Sequence, residues 1–277
     1  MHLPSIVSAF YWDPNPAMFH FRVPFLNRPI LWYGFFFALG FFLAYWVLIH
    51  LLKRYLGQRE KSLGASKLAE KMTIYVMIGA VVGARLGDVL FYQDLSLIAK
   101  DPLSIIAVWQ GGLASHGGAV GILIALWLFS RSAKIPFLRS VDFAVVPTAL
   151  AAVCIRTGNF FNQEILGIPT GLPWGVIFGH PADGGPLVPR HPAQLYEAMW
   201  YCVVFIALLI YARSHPKFER KGRLTGFFLI LVFGFRFLIE YLKVEQSVSL
   251  STASCLTMGQ WLSIPFVLLG VYLIAKK

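Results

Sequence analysis

The chain has 277 residues, of which 57% are hydrophobic and 13% are charged, and its mean hydropathy is +0.66. A water-soluble domain has about 25% charged residues, so this composition excludes a disordered chain and predicts a membrane protein. The net charge of +11 must first be tested against membrane topology. Cys154, Cys202 and Cys255 show no paired spacing, so neither a disulfide framework nor a metal site is expected.

Seven hydrophobic runs predict an all-α integral membrane protein with about seven membrane-spanning helices. Residues 1–29 are interrupted by prolines and form a predicted outer N-terminal segment. The first run, residues 30–52, has no formal charge and exceeds the length that crosses a hydrocarbon core of about 30 Å. The six further spans are predicted at residues 72–92, 111–129, 141–155, 193–212, 224–242 and 259–275.

These spans divide the chain into residues 30–155 with the first four helices, an outer loop region at 156–192, and residues 193–277 with the last three. Glycines crowd the start of the third span, and Pro147 lies inside the fourth, so either helix can be broken or partly re-entrant. Residues 156–192 are rich in Gly and Pro. They predict a small outer, periplasmic loop domain made of turns and short strands.

The basic residues indicate the orientation of the chain. On this map 16 Lys and Arg fall on the side of the C-terminus and 6 on the side of the N-terminus, while Arg85 and Arg236 lie within spans. The positive-inside rule therefore predicts an outer N-terminus and a cytoplasmic C-terminus. Because topology and anionic lipid account for the basic loops, nucleic-acid binding is not expected.

Several polar residues lie inside the predicted spans or follow directly from the outer end of the fourth, although a charge at the bilayer centre costs about 2.5–3.5 kcal/mol on insertion scales. With this topology they all fall at the level of the outer leaflet. They are Tyr33, Arg85, Asp88, His116, Arg156, Asn159, Asn162, Glu164, Arg236 and Glu240. One alternative stays open: Arg85 and Asp88 lie three residues apart and can simply neutralise each other. Arg236 and Glu240, four residues apart, can do the same.

Three arginines at one level imply an anionic ligand. Arg85, Arg156 and Arg236 outnumber the acids placed to neutralise them if Glu164 is engaged elsewhere. Guanidinium forks bind phosphate bidentately, and at this depth the obvious phosphate is a phospholipid headgroup. His116 is followed by two glycines, which let a headgroup approach closely, so we interpret it as functional.

The motifs that contain these residues closely resemble those of the bacterial prolipoprotein diacylglyceryl transferases. The longest is the signature motif, residues 156–167. The others are residues 32–34, 83–88, 115–118, 190–197, 235–240 and 258–263, and together they extend over nearly the whole chain.

The resemblance implies an inner-membrane transferase with its active site at the level of the outer leaflet. Such an enzyme moves the sn-1,2-diacylglyceryl group of phosphatidylglycerol onto the lipobox cysteine thiol of a preprolipoprotein signal peptide, without a cofactor. Glycerol phosphate leaves. A histidine is the usual proton acceptor near neutral pH, and His116 is the candidate base. His191 is a second possible base, but it more plausibly shapes the loop-to-helix junction.

The remaining roles follow from a leaving phosphate whose negative charge grows as the carbon–oxygen bond breaks. Arg156 and Arg236 are expected to stabilise it, with Arg85 in support. Asn159 and Tyr33 can supply hydrogen bonds to the headgroup. Glu164 and Glu240 either orient the arginines or bind the glycerol hydroxyls. Asn162 and Gly167 complete the expected substrate-binding set.

Two other classes of protein fit parts of the pattern. A transporter or flippase for an anionic lipid or solute also uses several spans and an anion site, but it typically binds near the midplane between repeated halves, and no repeat is visible. An intramembrane serine protease needs a serine and a histidine that meet in space, and the adjacent Ser115 and His116 do not provide that arrangement.

Overall fold

The computed structural model of the chain describes residues 9–22, 29–56, 62–93, 105, 112, 114–215, 220–244 and 256–276. Cys255 and Gly111 of the sequence analysis lie outside these residues. Seven long helices are present in the described part. They are α1 (Trp32–Leu56), α2 (Ser62–Tyr92), α3 (Ser115–Ala133), α4 (Phe137–Phe161), α5 (Ala193–Ser214), α6 (Arg223–Ile239) and α7 (Met258–Ala275).

Six of these helices are long and apolar enough to cross a membrane, namely all except α3. Helix α3 has 19 residues, but Ser115, His116 and Arg131 lower its hydropathy. The all-α membrane architecture predicted from the sequence is confirmed, and the seventh span stays a prediction. Large apolar side chains are exposed along one face of α5, at Met199, Val203, Ile206 and Ile210, as expected of a surface that meets lipid.

Helix α4 is continuous where the sequence left a break open. It starts four residues before the predicted span, passes through Pro147, and extends six residues beyond the predicted end to Phe161. An apolar environment offers no water to unpaired peptide groups, so the helix persists around the proline. The first residues of the signature motif are therefore helical and do not belong to a loop.

The chain forms two compact units, which are described separately. The first comprises residues 1–46, 145–215 and 222–277. The second comprises residues 47–144 and 216–221.

The second unit is held together by close contact between α2 and α3. Gly79, Gly83 and Gly87 recur every fourth residue on α2 and meet Gly117 and Gly121 on α3. A Cβ atom on Gly83 would lie 2.7 Å from the Gly121 Cα atom, and one on Gly87 would lie 2.7 Å from the Gly117 Cα atom. Such small-residue stripes let membrane helices approach until their backbones touch.

The first unit contains α5, α6, α7, parts of α1 and α4, and four short strands. Strand β1 (Phe10–Trp12) pairs in parallel with β4 (Val176–Phe178), and β2 (Ala17–Arg22) pairs antiparallel with β3 (Pro29–Leu31). Trp12 stacks on Phe160 at 4.7 Å between ring centroids, and its indole N–H donates to the Phe160 carbonyl oxygen at 3.1 Å. The N-terminal segment is thus packed against the end of α4.

The α2–α3 contact generates a stability prediction. Replacing Gly83 by Ala puts a methyl group where backbone atoms of α3 lie, and overpacking of this kind costs about 1–3 kcal/mol. We expect Gly83→Ala to lower the thermal unfolding midpoint of the protein in detergent. Gly64→Ala is the matched control, because it lies on the same helix and its Cβ would meet nothing within 4 Å. An equal midpoint for both variants would contradict the close contact.

Candidate functional site

A buried cluster of charges joins three helices of the first unit. Its members, here called the arginine cluster, are Arg156 near the end of α4, Glu197 and Tyr201 near the start of α5, and Lys243 just after α6. Glu197 is 0% exposed. Residues 240–242 form a single 3₁₀ turn after α6, which leads the chain to Lys243.

Glu197 holds one cation on each carboxylate oxygen. Its Oε2 atom forms an ion pair with Arg156 Nε at 3.0 Å, which is not an aligned hydrogen bond, and its Oε1 atom accepts from Lys243 Nζ at 2.9 Å. The Tyr201 hydroxyl donates to Oε1 at 3.5 Å and interacts electrostatically with Arg156. The pKa of the Lys243 ammonium is lowered from its ordinary value, because the effect of burial is only partly offset by the Glu197 carboxylate. A buried carboxylate with two cationic partners leaves one positive charge in excess.

A second network runs from Arg156 into the signature motif. Arg156 Nη1 donates to Asn159 Oδ1 at 3.1 Å, and Asn159 Nδ2 donates to Glu164 Oε2 at 2.9 Å. Asn162 Nδ2 donates to the other Glu164 oxygen at 3.0 Å. The guanidinium of Arg156 is therefore oriented at two of its nitrogens, by Glu197 and by Asn159. The sequence-predicted residues Arg156, Asn159, Asn162 and Glu164 do come together.

The turn that carries Glu164, here called the signature turn (residues 162–167), is backbone-strained. Gln163 and Ile165 adopt φ values of +54° and +55°, which cost about 1–3 kcal/mol for residues other than glycine. The Gln163 side chain is held at both ends: its Nε2 donates to Asp13 Oδ1 at 3.3 Å, and its Oε1 accepts from the His180 backbone N–H at 2.7 Å. These contacts stabilise the turn that presents Glu164.

The N-terminal segment contributes the anchor of this turn. Asp13 Oδ1 lies 2.6 Å from the Nδ1 atom of the exposed His180 ring. The hydrogen bond with His180 lowers the pKa of the Asp13 carboxyl. From α5, Gln194 Nε2 donates to the Glu164 carbonyl oxygen at 2.5 Å. The signature turn is thus fixed by residues far away in the sequence.

Gly167 lies where three chain segments meet. A Cβ at this position would overlap the His191 carbonyl oxygen and would lie 2.9 Å from the Leu242 carbonyl oxygen. Gly167 also pairs with Lys243 in an isolated antiparallel bridge. Two of the three atoms nearest to this position are backbone carbonyl oxygens and the third is the His191 Cβ, so the visible role of Gly167 is close approach and the placement of Lys243.

His191 belongs to the same junction. Its carbonyl oxygen accepts from the Gly167 N–H at 3.2 Å, and its Nδ1 atom lies 3.2 Å from the Tyr196 hydroxyl. These contacts favour the junction role over the role of a base.

Arg236, Glu240 and Tyr33 lie around the cluster. Arg236 interacts electrostatically with Tyr201 and Lys243, but in the part of the chain that the structure describes it forms no ion pair with Glu240. The Glu240 carboxylate lies against Gly259, with Oε2 buried and without a hydrogen bond there. Tyr33 packs against Gly158 and interacts electrostatically with Arg156.

Two predicted site residues belong to the second unit. Arg85 is 4% exposed and contacts Asp88 at 3.4 Å, while its Nε and Nη1 donate to the carbonyl oxygens of Ile105 and Gly112 at 3.1 and 3.2 Å. These contacts match the alternative in which Arg85 pairs with Asp88. His116 is exposed in the first turn of α3.

Sequence reasoning missed two central members of the cluster. Glu197 lies inside the fifth predicted span, where an acid is a warning of function, yet it entered only as part of a family motif. Lys243 was counted as a loop charge that reports topology. The position of Glu197 inside a predicted span could have identified it from the sequence. The role of Lys243 depends on its bridge to Gly167, which the sequence does not show.

Nearly the whole chain is similar to one family of known proteins. A family model described as prolipoprotein diacylglyceryl transferase matches residues 18–276. The chain belongs to the prolipoprotein diacylglyceryl transferase family. It is 41% identical to the phosphatidylglycerol–prolipoprotein diacylglyceryl transferase of Tolumonas auensis over 95% of each chain. It is 40% identical to the protein of the same name from Porphyromonas gingivalis, over 100% of this chain and 96% of the relative.

A more distant relative bears the same name. The Protochlamydia amoebophila protein is 32% identical, and the alignment covers 96% of this chain and 94% of the relative. The resemblance found in the sequence motifs is thereby confirmed. Family membership, together with the six helices of the described residues that are long and apolar enough to cross a membrane, makes the chain a multi-pass membrane transferase.

Gly167 generates a test of the junction. Gly167→Ala forces the added methyl group against two carbonyl oxygens, with an overpacking cost of about 1–3 kcal/mol. We expect a lower thermal unfolding midpoint and a loss of diacylglyceryl transfer. Gly171→Ala, in the same inter-helix segment, has nothing within 4 Å of its Cβ and should leave both unchanged. A Gly167→Ala variant that matches this control would show that no close approach exists.

Proposed function

We propose that the chain transfers the sn-1,2-diacylglyceryl group of phosphatidylglycerol to the lipobox cysteine thiol in the signal peptide of a preprolipoprotein. The product is a thioether, and glycerol phosphate is released. The names of the relatives support phosphatidylglycerol and prolipoprotein as substrates. The transporter alternative is not favoured, because these relatives are named as transferases.

The observation that carries the proposal is the two-point orientation of Arg156. Glu197 holds Nε and Asn159 holds Nη1, so the five-donor fork keeps N–H groups that can face a ligand in a set direction. Arg236 adds a second guanidinium within electrostatic range of the cluster. Such preorganised donors bind a phosphate and stabilise charge that develops on it.

The reaction needs this charge stabilisation at one bond. The thiolate sulfur attacks the glycerol carbon that is bonded to the phosphate oxygen, and a carbon–sulfur bond forms as that carbon–oxygen bond breaks. The electron pair stays on the phosphate oxygen, so a phosphodiester with one negative charge becomes a monoester with up to two. We assign Arg156 and Arg236 to this growing charge, with Asn159 and Tyr33 as hydrogen-bond donors to the headgroup.

The thiol must lose its proton before the attack, because the thiolate is the nucleophile. We assign the proton acceptor to His116 from the sequence motif. Glu164 accepts from Asn159 and Asn162, which favours an orienting role for it over binding of the glycerol hydroxyls. Glu240, whose Oε2 is buried without a hydrogen bond in the described part, remains the candidate for a glycerol hydroxyl.

The proposed location is the inner membrane, with the N-terminus outside, the C-terminus in the cytoplasm and the reaction at the level of the outer leaflet. This proposal rests on the distribution of basic residues. It places the signature turn and the strands that pack against it on the outer side.

A transfer assay tests the proposed function. The purified chain is incubated with phosphatidylglycerol labelled in its acyl chains and a peptide that contains a lipobox cysteine. We expect labelled thioether product, none with a Cys→Ser peptide, and the loss of most turnover in Arg156→Lys. Lysine keeps the charge but lacks the planar fork whose separate nitrogens contact Glu197 and Asn159. Absence of product with the wild-type chain would refute the transfer, and full activity of Arg156→Lys would refute the role of the fork.

The role of His116 is tested separately. Glutamine can keep a hydrogen bond but cannot accept a proton, so His116→Gln should bind phosphatidylglycerol normally and lose about 10²–10⁴-fold in turnover. Raising the pH ionises the substrate thiol directly and should restore part of this loss. If His116→Gln instead binds the lipid weakly and gains nothing at high pH, the histidine is a headgroup ligand.

A further inference from the structure

Lys243 is the charged member of the arginine cluster to which the proposed reaction gives no role. Its side chain is 7% exposed, and its ammonium lies 2.9 Å from Glu197 Oε1. Burial of a lysine is costly unless the charge is paired, and here Glu197 is the partner.

The backbone around Lys243 is fixed independently of its side chain. Its N–H donates to the Glu240 carbonyl oxygen at 3.3 Å, and the next residue, Val244, donates to the Leu166 carbonyl oxygen at 3.1 Å. The Val244 bond and the bond from the Ile168 N–H to the Leu242 carbonyl oxygen, at 3.0 Å, flank the isolated bridge between Gly167 and Lys243. The backbone junction that closes the signature turn therefore also places the Lys243 ammonium beside Glu197.

The charge balance shows what the ammonium does. Arg156 and Glu197 alone are an electrically neutral pair, and a neutral pair attracts a phosphate weakly. With Lys243 the three groups carry one net positive charge. Lys243 also occupies Glu197 Oε1, so that Glu197 Oε2 is left to hold Arg156 Nε.

We propose that Lys243 is a positioning residue that neutralises Glu197, so that Glu197 orients Arg156 without cancelling its charge toward an anionic phosphate ester. The inference rests on the proposed function for the identity of that ester, the headgroup of phosphatidylglycerol. The same chemistry applies to the released glycerol phosphate. Lys243 acts through Glu197 and does not itself contact the reacting atoms.

A charge series tests the inference on the full chain in detergent. Lys243→Met lowers the net charge of the three groups to zero, Glu197→Gln raises it to two, and the double variant restores one. The probe is sn-glycerol 1-phosphate, with its affinity measured by calorimetry, next to KM and kcat for phosphatidylglycerol. Lys276→Met is the control, because it removes one exposed positive charge at the end of α7.

Affinity for the probe should follow the charge. We expect Lys243→Met to bind about tenfold or more weakly, Glu197→Gln to bind at least as tightly as wild type, and the double variant to lie close to wild type. Lys243→Arg keeps the charge and should retain most of the affinity. Turnover should fall in both Glu197→Gln and the double variant, because Arg156 has lost its orienting carboxylate, whereas Lys276→Met should change nothing.

A purely structural role gives a different pattern. If Lys243→Met and Glu197→Gln weaken probe binding alike, or if folded Lys243→Met binds the probe as wild type does, the inference is wrong. Should Lys243→Met not fold, the comparison of Glu197→Gln with the double variant measures the same charge step. Probe affinities that follow charge in a chain without transferase activity would support the anion site and refute the proposed reaction.

Discussion

The arrangement of α4, α5 and α6 in the first unit depends on the buried Glu197 carboxylate. It has no exposure to water and holds Arg156 on one oxygen and Lys243 on the other. Removal of one partner of a buried ion pair costs about 3–5 kcal/mol, so each helix that supplies a charge must stay in register with the others. The ends of α4 and α6 are thereby tied to the start of α5.

The signature turn is the second element that depends on this arrangement. Its two residues with positive φ are unfavourable in isolation, and they persist because Gln163 and the Glu164 backbone are held by the N-terminal segment, by the segment before α5 and by α5 itself. The resulting network runs from Glu164 through Asn159 to Arg156. The strained turn and the orientation of the Arg156 guanidinium therefore depend on one hydrogen-bond network, which joins residues that are far apart in the sequence.

Glycine has two distinct uses in the chain. On α2 and α3 it is repeated at every fourth position, and the repeat brings two membrane helices into backbone contact. Gly167, in contrast, is a single position at which three segments cross and which leads to Lys243. A glycine repeat of period four can be recognised in a sequence. For a single glycine in a loop, the sequence does not show which backbone segment approaches it.

The sequence alone was sufficient for the membrane class, the all-α architecture and the family, because hydrophobic length and long motifs are local properties. It also grouped Arg156, Asn159, Asn162 and Glu164, which a single motif contains and which are hydrogen-bonded to one another in the fold. Only the folded chain shows the continuity of α4 through Pro147, the pairing of Arg85 with Asp88 and the lack of an Arg236–Glu240 ion pair in the described residues. Glu197 and Lys243 are 46 residues apart, and no local pattern pairs them. Only the folded chain brings two such charges together, because their attraction acts through space and not along the sequence.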